Sequence, residues 1–123
     1  MKLYTSYFAK QARVGPGDKV FVSIAAAGVP KWFPHKCIVY SPLVPNWDLV
    51  KDKKKNLITW EEYERRYLED KDFEHNRLRY MVDLMKISDQ HDNKDLILLC
   101  FEKAGDDCHR HLVAKELNMS ELA

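Results

Sequence analysis

Side chains able to do chemistry are concentrated in one short segment, residues 100–111, which runs Cys-Phe-Glu-Lys-Ala-Gly-Asp-Asp-Cys-His-Arg-His. An apolar run typical of a buried strand precedes the segment, and a tight turn within it ends in Asp107, a good helix N-cap. Cys108, His109 and Arg110 then fall in the first turn of the predicted helix. The segment therefore lies at a strand-to-helix junction, which is where open α/β sheets bind ligands.

Two interpretations of this segment rest on its sulfur atoms. In the first, Cys108 is an activated thiol whose pKa is lowered by the helix N-terminus and by His109 or Arg110. In the second, Cys100, Cys108 and one of His109 or His111 bind a metal ion. The spacing of these residues matches no zinc motif, so we expect no metal.

A third interpretation is an anion site. The N-terminus of a helix favours negatively charged groups, and Arg110 with Lys103 would hold the anion while Glu102 binds a polar edge of the ligand. A purely structural interpretation competes with it. In that case Cys100 and Cys108 are small buried side chains, and a Glu102–Arg110 ion pair ties the strand to the helix. We favour the anion site.

Four segments have the composition of strands, at residues 2–9, 20–25, 37–40 and 95–103. The second and the fourth contain apolar runs without polar alternation. Such runs are typical of strands that are buried on both faces, as in a parallel sheet. The first segment is rich in aromatic and β-branched residues, which also favours a strand.

A helix is predicted to begin after Thr59, because Thr59 and Glu62 have the spacing of a capping box. Trp60, Tyr63 and Tyr67 then form an apolar stripe at helical spacing. Residues Lys31 to Asn56, just before this helix, are predicted to be irregular because prolines interrupt the helical periods.

A second helix is predicted over residues 73–89. Leu78, Met81, Val82 and Met85 recur at the spacing of one helical face, and Leu84 widens that face, so we expect these residues to face the core. A third helix is predicted to follow the turn that ends in Asp107.

Two features of residues 31–56 leave alternatives open. The lysine-rich residues 51–55 are interpreted as an exposed loop, with contact to a phosphate group as the alternative. Trp32, Phe33 and Trp47 are expected to pin the loop to the core, with stacking on a base or a sugar as the alternative.

Length and composition restrict the protein class. The chain of 123 residues predicts a single domain, residues 1–123. Lys and Arg number 20 against 19 Asp and Glu, a formal net charge of +1, which excludes a protein that binds DNA through gross charge. Helices that alternate with apolar strands imply crossover connections. We therefore predict a small three-layer α/β domain, with a mostly parallel sheet and flanking helices.

The expected location is cytoplasmic, with no membrane partner. The chain has 3 cysteines, an odd number without a disulfide framework, which is typical of a reducing compartment. It shows neither a signal-peptide core nor an apolar run of bilayer length. Glycine-rich phosphate loops, Gly-x-Ser-x-Gly elbows and His-Glu-x-x-His motifs are absent from the sequence, which leaves open whether the protein is an enzyme.

The chain resembles a prokaryotic and phage family known as domain of unknown function 488. Residues 98–103 and 108–112 are similar to its C-terminal signature, residues 58–67 to its middle helix and residues 4–8 to its first strand. The resemblance implies a compact α/β fold and no established activity. Many members carry an arginine just after the second strand, whereas residues 22–27 here read Val-Ser-Ile-Ala-Ala-Ala, so Lys31 is the substitute to consider.

We therefore expect a polar, anion-binding pocket at residues 100–111, for a phosphorylated, nucleotide-like or nucleic-acid ligand, with or without catalysis. No cofactor is assigned. The alternative is a non-catalytic interaction or regulatory protein, including a phage-type modulator, in which this segment is structural and residues 31–56 form the contact surface. The expected catalytic residues are Glu102, Cys108 and His109, and the expected ligand-binding residues are Lys103, Arg110, Cys100 and Tyr7.

Overall fold

The computed structural model describes residues 1–102 and 106–122. These residues form one five-stranded sheet, in which all neighbouring strands are parallel, in the order β3-β2-β4-β1-β5. The strands are β1 (Leu3–Tyr7), β2 (Lys19–Ser23), β3 (Cys37–Val39), β4 (Asp95–Cys100) and β5 (Ser120–Glu121). The helices are α1 (Phe8–Val14), α2 (Trp47–Lys54), α3 (Trp60–Lys71), α4 (Phe73–Asp89) and α5 (His109–Glu116), with a 3₁₀ turn at Ser41–Leu43. The predicted α/β fold is confirmed.

The central strand β4 is buried on both faces. It pairs with β2 on one side and β1 on the other, with Leu98 level with both Val22 and Thr5. Leu98 belongs to the larger core, whereas Ile97 and Leu99 belong to the smaller one. This division confirms that the apolar run is a parallel strand with both faces covered.

The two cores lie on opposite faces of the sheet and make the domain three-layered. The larger core joins the sheet to α2, α3, α4 and α5. The smaller core joins it to α1 and to the loop after β2, where Phe8, Phe21 and Phe33 pack in edge-on ring contacts. Of the helices in residues 1–102 and 106–122, none has both the length and the apolar character needed to cross a membrane.

Two helices lie where the sequence analysis expected a strand and an irregular segment. The first predicted strand ends early, because β1 stops at Tyr7 and the fully buried Phe8 begins α1. The segment from Lys31 to Asn56 contains α2, whose N-cap Asn46 accepts a hydrogen bond from the backbone N–H of Asp48. The prolines precede this helix and so do not interrupt it.

Helix α3 begins as predicted, with Thr59 Oγ1 accepting the backbone N–H of Glu62 at 3.2 Å. Its aromatic stripe faces the core: Tyr63 is buried, and the hydroxyl of the fully buried Tyr67 donates to the carbonyl oxygen of Leu43 at 2.5 Å. This stripe forms part of the wall around the site described below.

Helix α4 has the predicted bounds, but its predicted core face is confirmed only in part: Leu84 is buried and Met81 packs against the larger core, whereas other members of that face are exposed. Leu78 is 77% exposed and Met85 50% exposed, whereas Tyr80 and Leu84 are buried against the sheet. Tyr80 can be buried because its hydroxyl donates to the carbonyl oxygen of Lys71 at 2.5 Å. The buried face is therefore rotated from the predicted one toward Tyr80, and Leu84 belongs to both.

Candidate functional site

The site lies at the carboxyl ends of the neighbouring strands β2 and β4. From β2 the chain continues to β3 at one edge of the sheet, and from β4 it continues through α5 to β5 at the other edge. Because these connections diverge, a crevice opens between the two strand ends, as at the ligand sites of open α/β sheets.

His109 links the two strand ends. It is the first residue of α5 and is 5% exposed. Its Nε2 lies 2.7 Å from the carbonyl oxygen of Ile24, just beyond β2. A carbonyl oxygen only accepts hydrogen bonds, so Nε2 carries the hydrogen. In the neutral ring, Nδ1 is then left as an acceptor, and it lies 3.7 Å from Cys108 Sγ.

Cys108 lies between two groups that can take its proton. The thiol is buried and donates to Glu102 Oε2 at 3.1 Å, and His109 Nδ1 lies 3.7 Å from the sulfur. Burial opposes ionisation of Cys108, but its interactions with Cys100 and His109 outweigh burial and lower the pKa of Cys108 below its usual range. This is the environment of a reactive thiol.

The pKa of the Glu102 carboxyl group is shifted in the opposite direction to that of Cys108. Glu102 is exposed as a residue, yet its carboxyl end turns onto the Cys108 thiol. Desolvation by burial, followed by the charge of Cys108, raises the pKa of Glu102. The Cys108 sulfur therefore lies within reach of two groups that can accept its proton, Glu102 Oε2 at 3.1 Å and His109 Nδ1 at 3.7 Å.

Cys100 lies deeper than Cys108, at the end of β4. It is fully buried, and its Sγ is 3.4 Å from His109 Nε2. Burial raises the pKa of Cys100 well above its usual range. The two sulfurs and a ring nitrogen of His109 all lie within 4.8 Å of one another.

These three residues are of types that bind metal ions, but their ligand atoms are not directed at one common position. Cys108 Sγ faces Nδ1 of His109, whereas Cys100 Sγ is closer to Nε2, the nitrogen bonded to Ile24. A tetrahedral ion needs one ring nitrogen directed at both sulfurs. The cluster can therefore hold a soft metal ion only after the Cys100 side chain moves.

Arg110 binds protein groups at the junction. It is 3% exposed, and its Nη1 donates to the backbone carbonyl oxygen of Glu102 at 2.5 Å. The centre of the guanidinium group lies 5.6 Å from the centroid of the Tyr7 ring, at the end of β1. Arg110 therefore ties α5 to the ends of β4 and β1. Lys103, its predicted partner in anion binding, lies outside the described residues.

Helix α5 starts one residue later than the sequence analysis expected. The N-cap is Cys108, not Asp107; its backbone is extended, and its thiol contacts Glu102 rather than capping the helix. His111, considered above as a metal ligand, is directed elsewhere. Its Nδ1 binds the carboxylate of Glu121, and its Nε2 donates to the carbonyl oxygen of Asp106 at 2.9 Å.

A cavity of about 350 Å³ opens over this cluster. Glu102 and His109 contribute to its wall, and Ala25–Ala27, the extension of β2, form an uncharged side. Lys31, considered as an arginine substitute there, is exposed and is not among the described lining residues, which also do not include Arg110, Cys100, Cys108 or Tyr7. The other lining residues are Pro45, Trp47, Val50, Lys54, Tyr63 and Phe101.

The far wall of the cavity comes from α2, the helix that sequence analysis missed. Trp47 is 52% exposed, and Lys54 is the lysine among the described lining residues. Both had been considered as ligand contacts, through stacking and through phosphate contact, but only as alternatives. Asn46 was the available signal for α2, since asparagine is a preferred N-cap.

Residues 16–121 match the model of the family described as the active DUF488-N3 subclade. The chain belongs to this family. The match spans most of the DUF488 chain and includes β2, β4 and α5, which position the site. No curated protein and no solved structure matches the chain. The resemblance seen in the sequence is thus confirmed for this DUF488 chain.

Proposed function

We propose that this DUF488 protein binds a phosphorylated, nucleotide-like ligand in the cavity and acts on it through Glu102, Cys108 and His109. One observation carries the proposal: two of these residues line the cavity, and both contact the third, Cys108. A nucleophile, a base oriented by a further group and a nearby carboxyl group form a recurring catalytic arrangement.

The lining of the cavity favours a ligand with an aromatic part and a negative charge. Trp47, Tyr63 and Phe101 provide ring surface against which a base can stack. Lys54 provides a flexible ammonium group for a phosphate. A volume of about 350 Å³ is near the small end of ligand pockets, which favours a mononucleotide over a nucleic-acid strand.

The proposed chemistry starts with the loss of the proton from the Cys108 thiol. His109 Nδ1 takes the proton of Cys108, and the bond from Nε2 to the carbonyl oxygen of Ile24 keeps the ring in the tautomer that this transfer needs. The thiolate then serves as the nucleophile toward a ligand in the cavity, and Glu102 provides the acid or base on the open side. Glu102 must first move its carboxyl group aside, because it covers the sulfur.

The test is a binding screen with mononucleotides and sugar phosphates, using reduced protein and thermal shift followed by calorimetry. We expect a mononucleotide to bind and Lys54→Ala to weaken it about tenfold or more, the loss of one charged contact. Lys55→Ala is the matched control, because Lys55 is an exposed neighbour outside the described cavity lining. Equal binding by the two variants would remove Lys54 from the proposal.

Catalysis needs its own variant. Glu102→Gln is expected to bind the ligand found in the screen with similar affinity and to convert it at least a hundredfold more slowly, since acid–base groups contribute that much. A protein that binds none of these compounds at millimolar concentration would favour the alternative, a non-catalytic interaction or regulatory protein.

A further inference from the structure

We propose that Cys100 and Cys108 form a redox pair that converts between a dithiol and a disulfide. The inference starts from proximity: the sulfur atoms of two cysteines from different elements lie within 4.8 Å of each other. The third cysteine, Cys37, lies on β3 and belongs to the other core, so it serves as an internal control. This proposal goes beyond the proposed function and does not rest on it.

The surroundings assign different roles to the two thiols. Cys108 has proton acceptors on two sides, His109 Nδ1 and Glu102 Oε2, so it is the thiol that ionises and reacts first. Cys100 is fully buried, and its sulfur lies 3.4 Å from His109 Nε2 and near the sulfur of Cys108. Cys100 therefore suits the second step of disulfide formation, in which its thiol attacks the neighbouring sulfur of an oxidised Cys108.

The oxidant class that fits this arrangement is a small hydroperoxide. The Cys108 thiolate attacks one peroxide oxygen, the O–O bond breaks, and the leaving oxygen takes a proton to become water or an alcohol, which leaves a sulfenic acid. The Cys100 sulfur then attacks the sulfenic sulfur and gives up its proton, and the S–O bond breaks to release water. Two electrons pass from the thiols to the peroxide.

The cavity provides the route for the oxidant. Cys108 Sγ lies 3.1 Å from Glu102 Oε2, and Glu102 lines the cavity. A rotation of this exposed side chain would open the sulfur to a molecule the size of hydrogen peroxide. A disulfide is about 2.05 Å long, so both cysteine side chains must also rotate toward each other. The disulfide would withdraw Cys108 from Glu102.

The test treats reduced protein with one equivalent of hydrogen peroxide in the presence of EDTA. Thiols are then blocked with N-ethylmaleimide, and the protein is mapped by mass spectrometry. We expect a loss of two hydrogens, one cross-linked peptide that joins Cys100 to Cys108, and reversal by dithiothreitol. Cys37→Ser should behave like the unmodified chain.

Two further variants separate the steps. Cys100→Ser should stop at a sulfenic acid on Cys108, detectable as a dimedone adduct. Cys108→Ser should consume peroxide at least tenfold more slowly, because the remaining buried thiol is protonated.

Three outcomes would overturn the proposal. One is Cys108 oxidised to sulfinic acid with no disulfide in the unmodified chain. The second is oxidation that depends on Cys37. The third is protein isolated without EDTA that carries one equivalent of zinc blocking both Cys100 and Cys108, which would make the cluster a metal site. Ligand binding is measured on reduced protein, so failure here leaves the proposed function standing.

Discussion

The imidazole of His109 donates a hydrogen bond from Nε2 to the backbone carbonyl oxygen of Ile24 at 2.7 Å. This bond joins residues 85 positions apart in the chain and ties the start of α5 to the end of β2. It also determines which ring nitrogen faces Cys108. One contact therefore serves both the fold and the chemistry of the site.

These two roles of His109 can be separated by substitution. His109→Ala leaves the buried carbonyl oxygen of Ile24 without its partner, and we expect it to lower the free energy of unfolding by about 2 kcal/mol. His109→Gln places an amide N–H near the position of Nε2, so most of this stability should return, while no base faces Cys108. Urea unfolding of both variants tests this, and equal stability losses would contradict it.

Arg110 is expected to act on stability rather than on ligand affinity. Arg110→Ala removes a charged donor from the carbonyl oxygen of Glu102 and packing from the Tyr7 ring, which should cost about 2–3 kcal/mol in the free energy of unfolding. Arg110→Lys should recover only part of this, because lysine lacks the planar fork. A variant with unchanged unfolding but lost nucleotide binding would instead place the anion at Arg110.

The face of α4 gives a matched pair of variants. Leu84 is fully buried, whereas Leu78 is 77% exposed on the same helix. Leu84→Ala should lower the free energy of unfolding by about 2–5 kcal/mol through a cavity in the larger core. Leu78→Ala should stay within about 0.5 kcal/mol. Urea denaturation of both measures the difference, and comparable losses would argue for the face predicted from sequence.

Cys37 should react slowly with alkylating reagents. Burial raises the pKa of Cys37 to about 12. The folded state therefore disfavours the thiolate at neutral pH, and the rate should climb about tenfold per pH unit until the pH approaches that value. With iodoacetamide at pH 8, we expect labelling roughly a thousandfold slower in folded than in urea-unfolded protein, in proportion to the thiolate fraction. Peptide mapping follows the labelling of Cys37. Equal rates in the folded and the unfolded protein would show that Cys37 is accessible and that its pKa is not raised.

Local signals determined much of the fold. An apolar run predicts a strand wherever both faces are covered, and this held for β2 and β4. Thr59 predicted the start of α3, because an N-cap side chain bonds a backbone N–H only three residues further along the chain. The junction at residues 100–111 was recognised for the same reason, since the end of β4 and the start of α5 are neighbours in the chain.

The tertiary structure decided which groups meet. Helix α2 brings Lys54 and Trp47 to a cavity whose other walls come from distant elements, and no spacing in the sequence encodes that approach. The buried Arg110 meets the carbonyl oxygen of Glu102 and the Tyr7 ring, because a buried guanidinium group needs protein partners. The sequence placed His109 at a junction, but only the packing of β2 beside β4 puts the Ile24 carbonyl within its reach. Contacts between residues distant in the chain depend on how the strands assemble into the sheet, and local sequence patterns do not determine that assembly.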